Sequence, residues 1–235
     1  MSPHAILFDF DGTLVDSAPD LAGAANDLRI EHGMEPLPYE ALRPFATYGA
    51  RSLVKVALGL GPGDDDYEQN RQRFLAIYGE RKLHNSRLFG GVLELLVAIE
   101  RRALPWGIVT NKNSRLAEPM IDALLRDRAF IPQVVVCGDT TPWPKPHPMP
   151  LTTAAEALSV SPQHCVYVGD GESDVKASIA CNMPCVLAAY GYIPDLALAR
   201  TWGADHEIDE PIELLRMLPR LPMDSVHAAN ESISK

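Results

Sequence analysis

The chain has 235 residues, 46% hydrophobic and 22% charged, which suits a soluble globular protein of one large domain or one domain with an insertion. No apolar run approaches the ~18 residues that a membrane span needs. The 31 Asp and Glu against 21 Lys and Arg give a net charge of -10, which argues against a non-specific nucleic-acid binder and leaves open where so many carboxylates sit.

No basic region precedes the first apolar run, so no signal peptide is expected and the chain is read as cytoplasmic. That run, Ala5-Ile6-Leu7-Phe8, is short, continuous and followed by turn residues, which predicts a buried parallel strand. From Ser17 to about Leu88 no strand is evident. Ser17-Ala18-Pro19-Asp20 has capping-box form and opens a predicted helix that runs to Gly33. Further helices are predicted over 39–43, 50–58 and 66–82, which makes 17–88 an all-helical insertion, a cap. Gly90-Gly91 is the expected return hinge. Strands are then predicted over 106–109, 134–137, 165–168, 185–188 and, more weakly, 206–208. They alternate with helices over 92–102, 114–128, 150–158, 174–182 and 211–218. The pattern gives an α/β fold, a doubly wound parallel sheet built from 1–16 and 89–218, with a frayed tail over 219–235. Cys137, Cys165, Cys181 and Cys185 lack CxxC spacing and read as buried free thiols of a reducing compartment.

The chemistry is expected at the carboxyl ends of the strands, where parallel sheets bind ligands. The first strand ends in Asp9-Phe10-Asp11-Gly12-Thr13. A solvated Asp-Gly turn is the plain alternative, but Asp9 directly follows four apolar residues, where a lone carboxylate is costly to bury. The second strand ends in Thr110-Asn111-Lys112, whose hydroxyl and amide suit phosphate oxygens, although a helix-capping role is at least as common. Pro144-Lys145-Pro146 holds one lysine in a stiffened loop, which makes sense beside clustered negative charge. Gly169-Asp170-Gly171-Glu172-Ser173-Asp174 ends a further strand and opens a helix, where Asp174 also suits simple capping. Brought to one sheet edge, the carboxylates need a cation. Oxygen-only hard ligands favour Mg²⁺, and metal plus lysine leave room for a phosphoryl group.

In this order the segments resemble the four motifs of the haloacid dehalogenase-like (HAD) superfamily, over roughly 5–218, and the insertion resembles the cap of its phosphoglycolate phosphatase-like subgroup. The resemblance implies a Rossmann-like core and a mechanism. Asp9 is the nucleophile that forms an aspartyl-phosphate, and Asp11 protonates the leaving oxygen and then activates water. Thr110 and Lys145 bind the phosphoryl oxygens and screen the nucleophile. Asp9, the Asp11 backbone carbonyl, Asp170 and Asp174 hold or orient Mg²⁺. Gly12, Thr13, Asn111 and Arg51 are the expected substrate contacts, Arg51 through the cap segment Tyr48-Gly49-Ala50-Arg51.

The expected reaction is hydrolysis of a small phosphorylated metabolite by a monomer or homodimer, without nucleic-acid or membrane partners. 2-Phosphoglycolate is the first candidate substrate. N-acetylmuramic acid 6-phosphate is the second, since Tyr190-Gly191-Tyr192-Ile193 and Trp202-Gly203-Ala204-Asp205 look like a cell-wall-recycling branch. A sugar-phosphate mutase would use the same core residues. A phosphorylation-controlled receiver-like binding module also clusters Asp, Thr or Ser and Lys, but it is much shorter and has no helical insertion.

Overall fold

The protein is described by a computed structural model over residues 3–218, so the expected tail over 219–235 lies outside the described residues. Strand β1 (Ala5–Phe8) is wholly buried. After it come the two-residue strand β2 (Val15–Asp16), helices α1 (Ala18–Glu31), α2 (Tyr39–Leu42), α3 (Gly49–Leu58) and α4 (Tyr67–Arg81), and strand β3 (Arg87–Leu88). The chain then alternates through α5 (Val92–Arg101), β4 (Trp106–Val109), α6 (Ser114–Leu124), β5 (Val134–Val136), α7 (Met149–Ala157), β6 (Cys165–Gly169), α8 (Glu172–Ala180), β7 (Cys185–Ala188), α9 (Leu196–Ala199) and β8 (His206–Ile208).

Six strands form one parallel sheet in the order β5-β4-β1-β6-β7-β8. Side chains of β1 alternate between the faces. Ile6 and Phe8 pack with Trp106, Ile108 and Met120, and Ala5 and Leu7 pack with Leu151, Ala154 and Tyr167. Burial on both faces is why β1 reads as an unbroken apolar run. Phe8 stands beside Ile108 on one side and Val168 on the other. The residues that follow these strands therefore emerge together at one edge, and the strand order reverses at β1, where a crevice opens.

The segment read as strandless is bounded by a short antiparallel pair, with Val15 opposite Leu88 and Asp16 opposite Arg87. The two connections to the cap leave and return side by side. Two residues carry no periodicity, so the pair is not legible in sequence. Gly91, in the expected return hinge, is the left-handed N-cap of α5, at φ 86. The helix predicted over 114–128 ends at Leu124, because Leu125 leaves helical geometry and a 3-10 turn, Arg126–Arg128, follows. The predicted helix over 211–218 is a 3-10 helix, Pro211–Met217.

Ser17 and Asp20 do not form the expected capping box. The Ser17 hydroxyl donates to Asp11 Oδ1 at 2.5 Å, and buried Asp20 Oδ2 accepts from the backbone and hydroxyl of Ser86, both at 2.8 Å. The Tyr192 hydroxyl caps α1 in their place, accepting from the N–H groups of Ser17 and Ala18 at 2.6 and 3.0 Å. All four cysteines are free and buried, as expected. Among the described residues no helix is long and apolar enough to cross a membrane.

Candidate active site

Asp9 follows β1 directly, and its backbone N–H donates to Val168 O at 2.8 Å. The chain then folds back within a few residues. Gly12 has φ 83, and its N–H donates to Val15 O at 2.9 Å. A Cβ on Gly12 would stand 2.2 Å from the Asp170 carboxylate, so the turn requires glycine twice over, for its dihedral and for this approach. Asp170 is 1% exposed; its Oδ2 accepts from Tyr192 N at 2.8 Å, and Thr13 Oγ1 lies 3.5 Å from its Oδ1.

Lys145 reaches the same point from the loop after β5. It is buried, and its ammonium donates to Asp174 Oδ1 and the Tyr167 hydroxyl at 2.6 Å each and to Val109 O at 2.9 Å. Asp9 Oδ1 lies 3.0 Å from the same nitrogen. Asn111 fixes this loop with a two-way bond, its Nδ2 donating to Lys145 O and its Oδ1 accepting from Lys145 N, both at 2.9 Å. Asp174 Oδ2 accepts from Gly171 N at 2.9 Å at the start of α8, which aims its other oxygen at Lys145.

Asp9, Asp170 and Asp174 each offer an oxygen within 4.8 Å of the others. Burial above all pushes Asp9 up to about 7, with Lys145 opposing and Asp174 adding. Burial, then Asp9 and Asp174, holds Asp170 well above the ordinary carboxylate range. Burial would lower Lys145, but Asp174 and Asp9 outweigh it and hold the ammonium charged. One lysine cannot balance three carboxylates. Asp9 Oδ1 is buried and ion-paired with Lys145, with no further hydrogen-bond donor on it. Three carboxylates that share one ammonium in an oxygen-only cluster fit a hard divalent cation.

Asp11 stands apart from this triad. Lys112 Nζ, with its side chain only 7% exposed, contacts both Asp11 oxygens at 3.0 and 2.9 Å and donates to the Tyr78 hydroxyl of α4 at 2.7 Å. Burial opposes the Lys112 charge, but Asp11 and then Tyr78 more than offset it and raise its pKa. Lys112 and Tyr78 have no role in the sequence reading. The available signal for Lys112 was its place at a strand's carboxyl end, two residues after Thr110. Tyr78 reads only as part of the apolar face of α4.

A cavity of about 730 Å³ lies over the sheet edge and beneath α3 and α4. Asp9, Asp11, Thr110, Lys145 and Asp174 line its floor, and Tyr48, Arg51 and Lys55 line its cap side. Thr110 is 3% exposed and accepts from Lys112 N at 3.2 Å through Oγ1. Asn111 lines the cavity, but its amide is committed to Lys145. Gly12 and Thr13 are not among the lining residues; they pack on Asp170. Arg51, in the first turn of α3, is exposed and faces the cavity.

The sequence profile described as haloacid dehalogenase-like hydrolase matches residues 6–188. An N-acetylmuramic acid 6-phosphate phosphatase of Pseudomonas aeruginosa is 38% identical over 224 residues, 95% of this chain and 98% of its own length. A phosphoglycolate phosphatase of Xylella fastidiosa is 38% identical over 223 residues, 91% of this chain and 92% of its own. A crystal structure described as a predicted phosphoglycolate phosphatase from Haemophilus somnus superposes with a TM-score of 0.79 at 26% identity, covering 92% of this chain and 98% of that one. With its profile match over most of the chain and relatives alike from end to end, the chain belongs to the haloacid dehalogenase-like hydrolases.

Proposed function

We propose that the protein is a Mg²⁺-dependent phosphatase of a small phosphorylated carboxylic acid, with N-acetylmuramic acid 6-phosphate now ahead of 2-phosphoglycolate, the first candidate from sequence, acting through an aspartyl-phosphate on Asp9. The cavity carries this reading. Its volume of about 730 Å³ falls in the range of sites for ligands of drug size, and a two-carbon acid would leave most of it to water. Arg51 and Lys55 on the cap side offer positive charge to a substrate carboxylate while the phosphoryl group lies on the floor. The similarity to the Xylella fastidiosa enzyme favours 2-phosphoglycolate as the second reading.

Asp9 keeps 14% of its side chain exposed, and it lines the cavity. Its carboxylate attacks phosphorus from there, forming the O–P bond as the ester O–P bond breaks. Asp11 gives its proton to the leaving alcohol. It then takes a proton from the water that attacks the aspartyl-phosphate, releasing inorganic phosphate and restoring both carboxyl groups. The Thr110 hydroxyl donates to a phosphoryl oxygen, and the fixed Lys145 ammonium stabilises charge beside the nucleophile. Asp9, Asp170 and Asp174, with the Asp11 carbonyl, are the residues that would hold Mg²⁺, which supplies positive charge against the carboxylates and the phosphoryl oxygens. All these side chains come from one chain, which suits a monomer or a homodimer. Four buried free thiols fit a cytoplasmic setting.

Phosphate release from the two substrates tests the reading. At least a tenfold higher kcat/KM for N-acetylmuramic acid 6-phosphate is expected; the reverse order would assign 2-phosphoglycolate, and no release from either would remove the phosphatase reading. Arg51→Ala is expected to raise KM for the preferred substrate by about 10-fold or more, the worth of one charged hydrogen bond, with kcat within about twofold. An unchanged KM would take Arg51 out of substrate binding.

A further inference from the structure

The site holds two buried lysines that serve different carboxylates. Lys145 faces Asp9 and Asp174. Lys112, from the loop after β4, faces Asp11 and no member of the acidic triad among its described contacts. Its ammonium contacts both oxygens of Asp11 and so holds the position of the carboxylate. It also donates to the Tyr78 hydroxyl, and its nitrogen stands 4.5 Å from the centre of the Tyr78 ring. Tyr78 belongs to cap helix α4 and is 1% exposed. The Ser17 hydroxyl, on the connection leading into the cap, holds Asp11 from another side. One carboxylate is thus gripped by the core directly, by the connection directly, and by the cap through Lys112.

Burying such a pair contributes little net stability, since desolvation cancels most of the attraction. What the arrangement does secure is direction. A general acid has to lie within hydrogen-bond reach of the oxygen it protonates, and a small misplacement is costly. We propose that Lys112 is the positioning residue for Asp11, and that Tyr78 makes its hold depend on the placement of the cap over the site. The proposal rests on the phosphatase reading above, in which Asp11 moves the proton. It adds that the quality of proton transfer is set by a lysine beside Asp11 and by a cap tyrosine that holds it, both of which line the cavity.

Leaving-group dependence tests this. The alkoxide leaving from either candidate substrate needs a proton, whereas p-nitrophenolate leaves without one. Lys112→Met keeps the apolar stem and removes the ammonium. Its kcat/KM, which reports steps up to leaving-group departure, should fall about 30-fold or more with the better alkyl substrate and by less than about threefold with p-nitrophenyl phosphate. Tyr78→Phe keeps the ring and should show the same inequality at smaller amplitude, about three- to tenfold with the alkyl substrate; it serves the test even where Lys112→Met does not fold. Equal losses with both esters, a larger loss with p-nitrophenyl phosphate, or no loss in either variant would overturn the assignment. Wild-type protein that releases phosphate from neither ester would instead remove the phosphatase reading beneath it.

Discussion

Asp9→Asn should abolish turnover, with kcat lowered by roughly 10,000-fold or more and KM little changed, because the change removes the attacking atom and leaves the surrounding contacts in place. The isosteric amide keeps the shape of the site beside Lys145. It also has a second, opposite consequence. Asp9 is pushed up to about 7 by burial, so its charged form is disfavoured in the metal-free protein. The neutral amide removes the cost of burying that charge, which outweighs the lost attraction to Lys145, and should raise the metal-free melting temperature at pH 8. Loss of activity with a gain in metal-free stability separates a nucleophile in a strained acidic cluster from a scaffold residue, whose removal would lower both. Steady-state kinetics and thermal melting of a preparation shown free of deamidation check the two effects. Activity near that of the wild type would overturn the assigned role.

The same cluster predicts how metal and pH act together. In the metal-free fold Asp9 binds its proton more tightly than in the unfolded chain, about 7 against 3.8, and Asp170 is shifted the same way. Between these values the folded state holds more protons. Metal-free stability is therefore greatest below the unfolded value and falls as pH rises through about 7. A divalent cation offsets the charge and has most to offset where the carboxylates are ionised. At about 100 times its dissociation constant, Mg²⁺ should raise the melting temperature at pH 8 by roughly 5–10 °C, and by less than half as much at pH 5. Calorimetry at both pH values, with chelator and with Mg²⁺, reads this. An equal shift at both, or none at pH 8, would contradict the cluster's role.

Which parts of this were legible in the sequence follows from how far each signal reaches. Ala5–Phe8 announced itself because a strand buried on both faces has no polar side to interrupt it. Asp9 and Thr110 sit immediately after predicted strands and Asp170 one residue further on, so a sheet edge could gather them before any contact was known. Lys145 carried its own signal, a proline on each side. What escaped depends on partners distant in the chain. Lys112 meets Asp11 across 101 positions, and Tyr192 reaches Ser17 across 175. The places of Lys112 at a strand end and of Tyr192 in its Tyr-Gly-Tyr segment mark the neighbourhood but name neither partner. The capping box failed for a related reason: its residue types were right, but Asp11 and Ser86 are better placed to take Ser17 and Asp20. Gly12, Thr13 and Asn111 lie beside the chemistry in sequence, yet in space they hold Asp170 and Lys145 in position. Nearness in the motif gathers these residues at one sheet edge and does not say which of them line the cavity.

The acidic excess met at the outset has a sharper meaning in space. Asp9, Asp170 and Asp174 form a cluster that Lys145, the one lysine beside it among the described residues, leaves under-neutralised, and Asp11 is paired with Lys112. A chain with net charge -10 does not draw a phosphate ester from a distance, so capture depends on local positive charge at the floor and under the cap.

Covalent catalysis by Asp9, with Asp11 activating water, is tested most directly in the Asp11→Asn variant. Mixing it with p-nitrophenyl phosphate and Mg²⁺ isolates the two steps, since the aryl leaving group needs no acid while the second step lacks its base. A burst of about one p-nitrophenolate per chain is expected, with slow turnover afterwards and, after acid quench, a phosphoryl group on the peptide that contains Asp9. Release without a burst and without label, or label on another residue, would contradict covalent catalysis by Asp9.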